Sequence, residues 1–275
     1  MLFRSMSKER KVLFFDDFNG DSVDLTKWTI EEHKGPMNGG KRYTTRPENI
    51  RVKDGCLEIT ALRENLDGCD YTSGAVNSSE KFSFCYGRME MRAKLPYGEG
   101  MWPAFWTLGD AYNELGDEKG WPYGGEIDVM EFVGVGGEEE RNNTEGVFNY
   151  GCEVYTDGKM GNNRSTCNLH WGADREHHYS VGGMHCLPEG IFNDDFHIFG
   201  MEWTKEKIAF FVDDTVCCEV DINQPGMLDT FHKPHWMIVN LAIVQGWGPE
   251  LKDITPLPQT YYVDWVRVLA PEEEN

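Results

Sequence analysis

The run GGEIDVMEFVG, residues 124–134, sets three carboxylates, Glu126, Asp128 and Glu131, among apolar residues. Side chains of a β-strand alternate between its two faces, so Glu126 and Asp128 share one face while Ile127 and Val129 share the other. Strict alternation would send Glu131 to the apolar face, where a lone carboxylate is costly to bury. One extra residue at Val129 or Met130, a β-bulge, restores parity and turns all three acids the same way. Like charges so placed destabilise a fold unless protons are shared among them, so the cluster suits acid and base chemistry better than stability. A solvated acidic edge is the plain alternative, and it fits poorly with Ile, Val, Met and Phe alternating inside one strand.

Such a strand needs a sheet around it. CLEITAL (56–62), FSFCYGRMEMRAKL (82–95), FHIFGMEWT (196–204), KIAFFVDD (207–214), WMIVNLAIV (236–244) and TYYVDWVRVL (260–269) carry β-branched and aromatic residues with partial two-residue periodicity. Helix is expected only in two short stretches, 111–115 and 226–231. No linker, repeat or low-complexity tract divides the chain, so residues 1–275 read as one all-β domain, a sandwich of two antiparallel sheets. With 275 residues, 40% of them hydrophobic, the chain can build a large core.

The formal charge of −21 repels phosphate backbones and anionic lipid surfaces, whereas a neutral polymer is indifferent to it. Nucleic acid is not an expected partner. No apolar run approaches the ~18 residues that span a bilayer, so no membrane insertion is expected. The start, MLFRSMSKERKV, lacks the apolar stretch of a signal peptide. Eight cysteines show no C-x-x-C pair and no zinc-like spacing. Disulfides among Cys152, Cys167 and Cys186 and buried free thiols are equally open readings.

Nine tryptophans are present, and three flank the acidic run: Trp102 and Trp106 in GMWPAFWTLG, and Trp121 in KGWPYGGE. Any one of them can simply fill a core. Trp121, however, stands in a Gly- and Pro-rich loop five residues before Glu126, where a platform for stacking a sugar ring is the better reading.

In these residues the chain resembles glycoside hydrolase family 16, whose laminarinase-like members carry E-[ILV]-D-x-x-E, matched by Glu126, Ile127, Asp128 and Glu131. The likeness extends through DDFNGDSVDLTKWT, RPENIRVKDGCLEITA, YGRMEMRAKLP, GMWPAFWTLG, FHIFGMEWTKEKIAFFVDD, PHWMIVNLAI and YYVDWVRV, nearly the whole chain. It implies a β-jelly-roll with a concave substrate cleft and an endo-acting, retaining hydrolysis of β-1,3- or mixed β-1,3/1,4-glucan, needing no catalytic cofactor. By the same resemblance Glu126 is the nucleophile, Glu131 the general acid and base, and Asp128 the group between that tunes Glu126. Four pleat steps put the two glutamates roughly 13 Å apart at Cα. The ~5–5.5 Å carboxyl separation of a retaining glycosidase then requires side chains that lean together on a curved strand.

The resemblance also implies that Trp102, Trp106 and Trp121 line the cleft, with His170, Asn38 and Trp247 as further substrate contacts; a satisfied structural histidine is the alternative at His170. A structural Ca2+ is implied at Asp17, Gly55 and Asp264, where oxygen donors suit the ion. Secretion is expected because polysaccharides do not enter cells, and the enzyme is expected to be a monomer. Three departures touch the cleft: Gly39 and Lys41 replace acidic and amide positions, Ala75 stands where an arginine is common, and Val244 and Gln245 stand at glycine positions. The long stretch from Gly151 to Asp195 is expected to form loops over one end of the cleft. A galactan hydrolase of the same fold is the alternative function, and a sugar-binding lectin a more distant one.

Overall fold

The computed structural model describes residues 10–33, 41–132, 163–243 and 255–272. Two sheets pack face to face. The first has eight strands in the spatial order β13 (His178–Cys186), β12 (Arg164–Gly172), β11 (Glu126–Glu131), β10 (Met101–Gly109), β17 (His235–Ile243), β7 (Ala75–Asn77), β2 (Thr29–Ile30), with β8 (Ser83–Phe84) also on β17. The second runs β16 (Thr215–Asp221), β15 (Lys207–Val212), β14 (His197–Trp203), β9 (Gly87–Lys94), β18 (Gln259–Leu269), β5 (Cys56–Leu66), β6 (Cys69–Ser73), β3 (Lys41–Tyr43). Two more strands join it, β1 (Val12–Asp16) on β18 and β4 (Ile50–Lys53) on β5. The pairings are antiparallel except that of β3 with β6. Strands from both ends of the sequence meet at the centre, as the all-β reading requires.

Alternation builds the core. On β10, Met101, Phe105 and Thr107 are fully buried, while Trp102 and Trp106 are half-buried on the opposite face. On β12, Ser165, Cys167 and Leu169 point inward, and Thr166, Asn168 and His170 are half-buried on the other side. The inner faces bring Phe105, Ile127, Met130 and Leu169 against Phe199, Met201 and Val266 of the second sheet in one apolar cluster.

Local chemistry corrects three expectations. The continuous strand read over 82–95 is cut into β8 and β9, because Tyr86 and Gly87 take φ of 66° and 125°. A Cβ on Gly87 would stand 2.3 Å from the carbonyl oxygen of Leu269, so only glycine fits. The expected helix α1 (Ala111–Leu115) forms and is followed by a short α2 (Asp117–Gly120). The other, at 226–231, does not. Gly226 has φ of 89°, and the residues after it close successive turns through Thr230 N–H to Met227 O and Phe231 N–H to Met227 O, both 3.0 Å. Finally, residues 151–162 of the long stretch lie outside the described residues, and Arg164–Gly172 and His178–Cys186 are strands rather than loops. They form the β12–β13 hairpin that extends the first sheet.

Candidate active site

The acidic strand enters through a tight turn. Gly125 has φ of 82°, and a Cβ there would lie 2.1 Å from Cγ2 of Thr230, which accounts for glycine immediately ahead of Glu126. Register with β10 then runs Leu108↔Glu126, Thr107↔Ile127 and Trp106↔Asp128, and resumes at Phe105↔Met130 and Ala104↔Glu131. Val129 is therefore the extra residue. The partner on the other side agrees, since Asp128↔Asn168 and Glu131↔Thr166 leave two residues of β11 against one of β12. The bulge at Val129 keeps Ile127, Met130 and Phe132 in the core and turns all three acids to the open face of the sheet.

Indole and amide N–H groups hold the carboxylates. Trp121 Nε1 donates to Glu126 Oε2 at 2.7 Å, Trp102 Nε1 to Glu131 Oε1 at 3.0 Å, and Asn168 Nδ2 to Glu131 Oε2 at 3.2 Å. Asp128 lies between, 3% exposed. His170 Nε2 stands 3.2 Å from Asp128 Oδ2. The contact is too poorly aligned for a hydrogen bond, and Oδ2 is a buried acceptor without a donor among the described residues. The other nitrogen of His170, Nδ1, is 2.8 Å from His178 Nε2, and the His178 ring packs on Trp121 with centroids 4.7 Å apart. Arg175 covers the same indole at 4.9 Å and pairs with Asp117 at 3.3 Å.

Burial raises the pKa of all three acids. Desolvation is the largest cause for each; the charge of Asp128 adds to it at Glu126, and that of Glu131 at Asp128. Trp121 opposes the shift at Glu126, as Asn168 and Trp102 do at Glu131, by donating to the charged forms. At Asp128 a hydrogen bond with Glu126 opposes the shift, so these two carboxyls are close enough to share a proton. A stability prediction follows. A carboxyl whose folded pKa is raised contributes stability below its unfolded pKa and loses it as pH rises through the folded one. Asp128→Asn is therefore expected to unfold later than the parent at pH 8, by on the order of 1 kcal/mol, or about 2–4 °C. The advantage should vanish near pH 4, where the cluster is protonated; melting curves across this range decide it.

Trp106 plays a different part from Trp102 and Trp121. Its Nε1 donates to Asn240 Oδ1 at 2.6 Å, and Asn240 Nδ2 donates to the Tyr43 hydroxyl at 3.0 Å, so it braces the floor next to the acids. Ala75, which stands where an arginine is common in the family, is fully buried opposite Asn240. Lys41 approaches Trp102, with Nζ 5.8 Å from the ring and donating to Ile243 O at 2.7 Å; burial lowers its pKa. Asn38, Trp247, Gly39, Val244, Gln245 and Cys152 lie outside the described residues. Asn168, His178, Asn240 and Tyr43 were not picked out by sequence. For Asn168 a signal existed, since it stands two residues before His170 on the same strand face.

At the calcium positions, the Asp17 segment meets Gly55, where a Cβ would stand 3.3 Å from Asn19 Oδ1, and Asp264 acts electrostatically on the adjoining Cys56. Asp264 Oδ2 is held by Arg92 Nη1 at 2.5 Å, so one carboxylate oxygen is already committed. Of the cysteines, Cys186 is disulfide-bonded and Cys167 is a free, buried thiol.

The family described as "Beta-porphyranase A-D, GH16 domain" matches residues 12–271. The chain is 29% identical to glucan endo-1,3-beta-glucosidase A1 of Niallia circulans over 94% of its length, and spans only 37% of that relative. It is 32% identical to a beta-glucanase of Rhodothermus marinus, covering 94% of this chain and 84% of the other. The solved catalytic domain of an endo-1,3-beta-glucanase (laminarinase) of Thermotoga petrophila superposes with a TM-score of 0.76 at 28% identity, covering 96% of this chain and 99% of that one.

Proposed function

From the premise that the chain belongs to glycoside hydrolase family 16, we propose that it is an endo-acting hydrolase cutting β-1,3- or mixed β-1,3/1,4-glucan with retention at the anomeric carbon. The observation that carries the reading is the bulge at Val129, which aims Glu126, Asp128 and Glu131 at one face while Trp121 and Trp102 each hold one glutamate. Glu126 attacks the anomeric carbon as the C–O bond to the leaving sugar breaks, and Glu131 donates its proton to the leaving oxygen. Water then enters, loses a proton to Glu131 and displaces Glu126. In this scheme Asp128 carries a proton that it donates to Glu126, keeping Glu126 a carboxylate until attack, and Glu131 carries the proton that goes to the leaving oxygen. The half-buried rings of Trp102 and Trp121 stand beside Glu131 and Glu126, where an aromatic surface suits a sugar ring.

The glucan assignment rests on the β-glucanase and laminarinase relatives. A second reading, hydrolysis of a galactan, is favoured by the porphyranase description of the matching family. The charge of −21 argues against a sulfated polymer, with Lys41 a local exception beside Trp102. Reducing-end release from laminarin, lichenan, barley glucan, agarose, porphyran and carrageenan separates the two. Cleavage confined to the glucans is expected; cleavage confined to a galactan would give the site to the second reading, and binding without cleavage would make it a lectin. A substrate too large to enter cells puts the enzyme outside them. A Ca2+ ion at Asp17, Gly55 and Asp264 would use backbone oxygens and the carboxylate oxygen that Arg92 leaves free, and would act on stability alone.

A further inference from the structure

The sugar-cleaving reading uses Asp128 and gives His170 no part beyond a substrate contact, yet the two form a second constellation with Glu126. One ligand atom from each of Glu126, Asp128 and His170 lies within 4.8 Å of the others. Asp128 belongs to this group; its Oδ2 is buried and has no hydrogen-bond donor among the described residues, and His170 Nε2 lies 3.2 Å from it. The outer contacts also suit a metal. A ligating histidine ordinarily has its second ring nitrogen hydrogen-bonded, and a ligating carboxylate is itself hydrogen-bonded. Here His178 holds His170 Nδ1 at 2.8 Å and Trp121 holds Glu126 at 2.7 Å.

We propose that the floor of the cleft is also a binding site for a divalent transition-metal ion, ligated by Glu126, Asp128 and His170 Nε2, and that ion and sugar exclude one another. One imidazole and two carboxylates favour Zn2+ and Cu2+ over the hard ions Mg2+ and Ca2+, which take oxygen ligands alone. Bonds of ~2.0–2.2 Å put neighbouring ligand atoms of a tetrahedral ion ~3.4 Å apart, a contraction that side-chain rotation supplies from the present spacing. The fourth position opens to the cleft, as in sites with three protein ligands. A dication also neutralises the like charges that the bulge brings together. With Glu126 engaged as a ligand, attack on the anomeric carbon stops. The exclusion of sugar rests on the hydrolase reading; the binding does not.

The test uses the chelator-treated chain and two probes, Cu2+ by electron paramagnetic resonance and Zn2+ by calorimetry and thermal shift. The parent is expected to bind one Cu2+ with hyperfine splitting from an imidazole nitrogen, and Zn2+ is expected to raise its Tm. His170→Ala should lose both responses, and His178→Ala should weaken Zn2+ by roughly 10- to 100-fold through loss of the outer contact. Glu126→Gln, which removes a ligand without touching the histidines, guards against misfolding of His170→Ala and should also bind weakly. Equal binding by all four proteins would mean adventitious ions on an acidic surface and would overturn the proposal. On a substrate that the chain hydrolyses, Zn2+ should raise KM and spare kcat; a fall in kcat at constant KM would overturn the exclusion of sugar. Failure to hydrolyse any polymer, with the metal signals intact, would count against the hydrolase alone.

Discussion

Glu126→Gly is expected to lower turnover on the order of 10⁴-fold or more, because it removes the atom that bonds to the anomeric carbon. The position is half-buried, and its one N–H donor, Trp121, comes from a turn rather than from the strand itself, so the fold should survive. Azide fits the space left by the carboxylate. It attacks the anomeric carbon from the nucleophile's side while Glu131 gives its proton to the leaving oxygen, so a C–N bond forms as the C–O bond breaks. The product is a glycosyl azide of inverted configuration, which nuclear magnetic resonance identifies. A variant with ordinary activity, or an azide of retained configuration, would remove Glu126 from the nucleophile's role.

Glu131→Ala should fail differently. General acid and base assistance is worth roughly 10²–10⁴-fold, so hydrolysis of natural glucan should fall by that much. An aryl glycoside whose leaving group needs no proton should still transfer its sugar to Glu126, giving a burst of phenolate followed by a slow steady state. Azide then attacks the glycosyl-enzyme from the opposite face, so the azide product keeps the starting configuration. The two variants thus give opposite stereochemistry with one reagent. If both gave the same anomer, the division of labour between Glu126 and Glu131 would be wrong even with both residues essential.

The difference between these two residues was partly legible in sequence. Spacings of two and then three in EIDVME forced a bulge if all three acids were to share a face, and the register places it at Val129. Long strands with β-branched and aromatic alternation were also readable, as at KIAFFVDD and WMIVNLAIV, which became β15 and β17. The β12–β13 hairpin was not. Its outward residues are Thr166, Asn168 and His170, and β13 carries Gly182 and Gly183, so composition suggested loops, while neighbouring strands supply the order. Local backbone freedom was equally hidden: residues 226–231 look helical until the positive φ of Gly226 is known.

Contacts between distant residues account for what else was missed. Trp106 looked like Trp102 in GMWPAFWTLG, yet of the two Trp102 donates to Glu131, because Asn240 on the neighbouring β17 takes the Trp106 indole. Asn168 shares its strand face with His170, but its place against Glu131 comes from the two-against-one register. His178 has nothing in the sequence to set it apart from the neighbouring His177, and it is the residue that fixes His170.

The account turns on an attack by Glu126 followed by a second displacement by water. Proton nuclear magnetic resonance of the anomeric region, recorded in the first minutes of laminarin digestion, reads this directly. The account predicts that the new reducing ends appear first as the β-anomer and only later mutarotate; initial appearance of the α-anomer would contradict it.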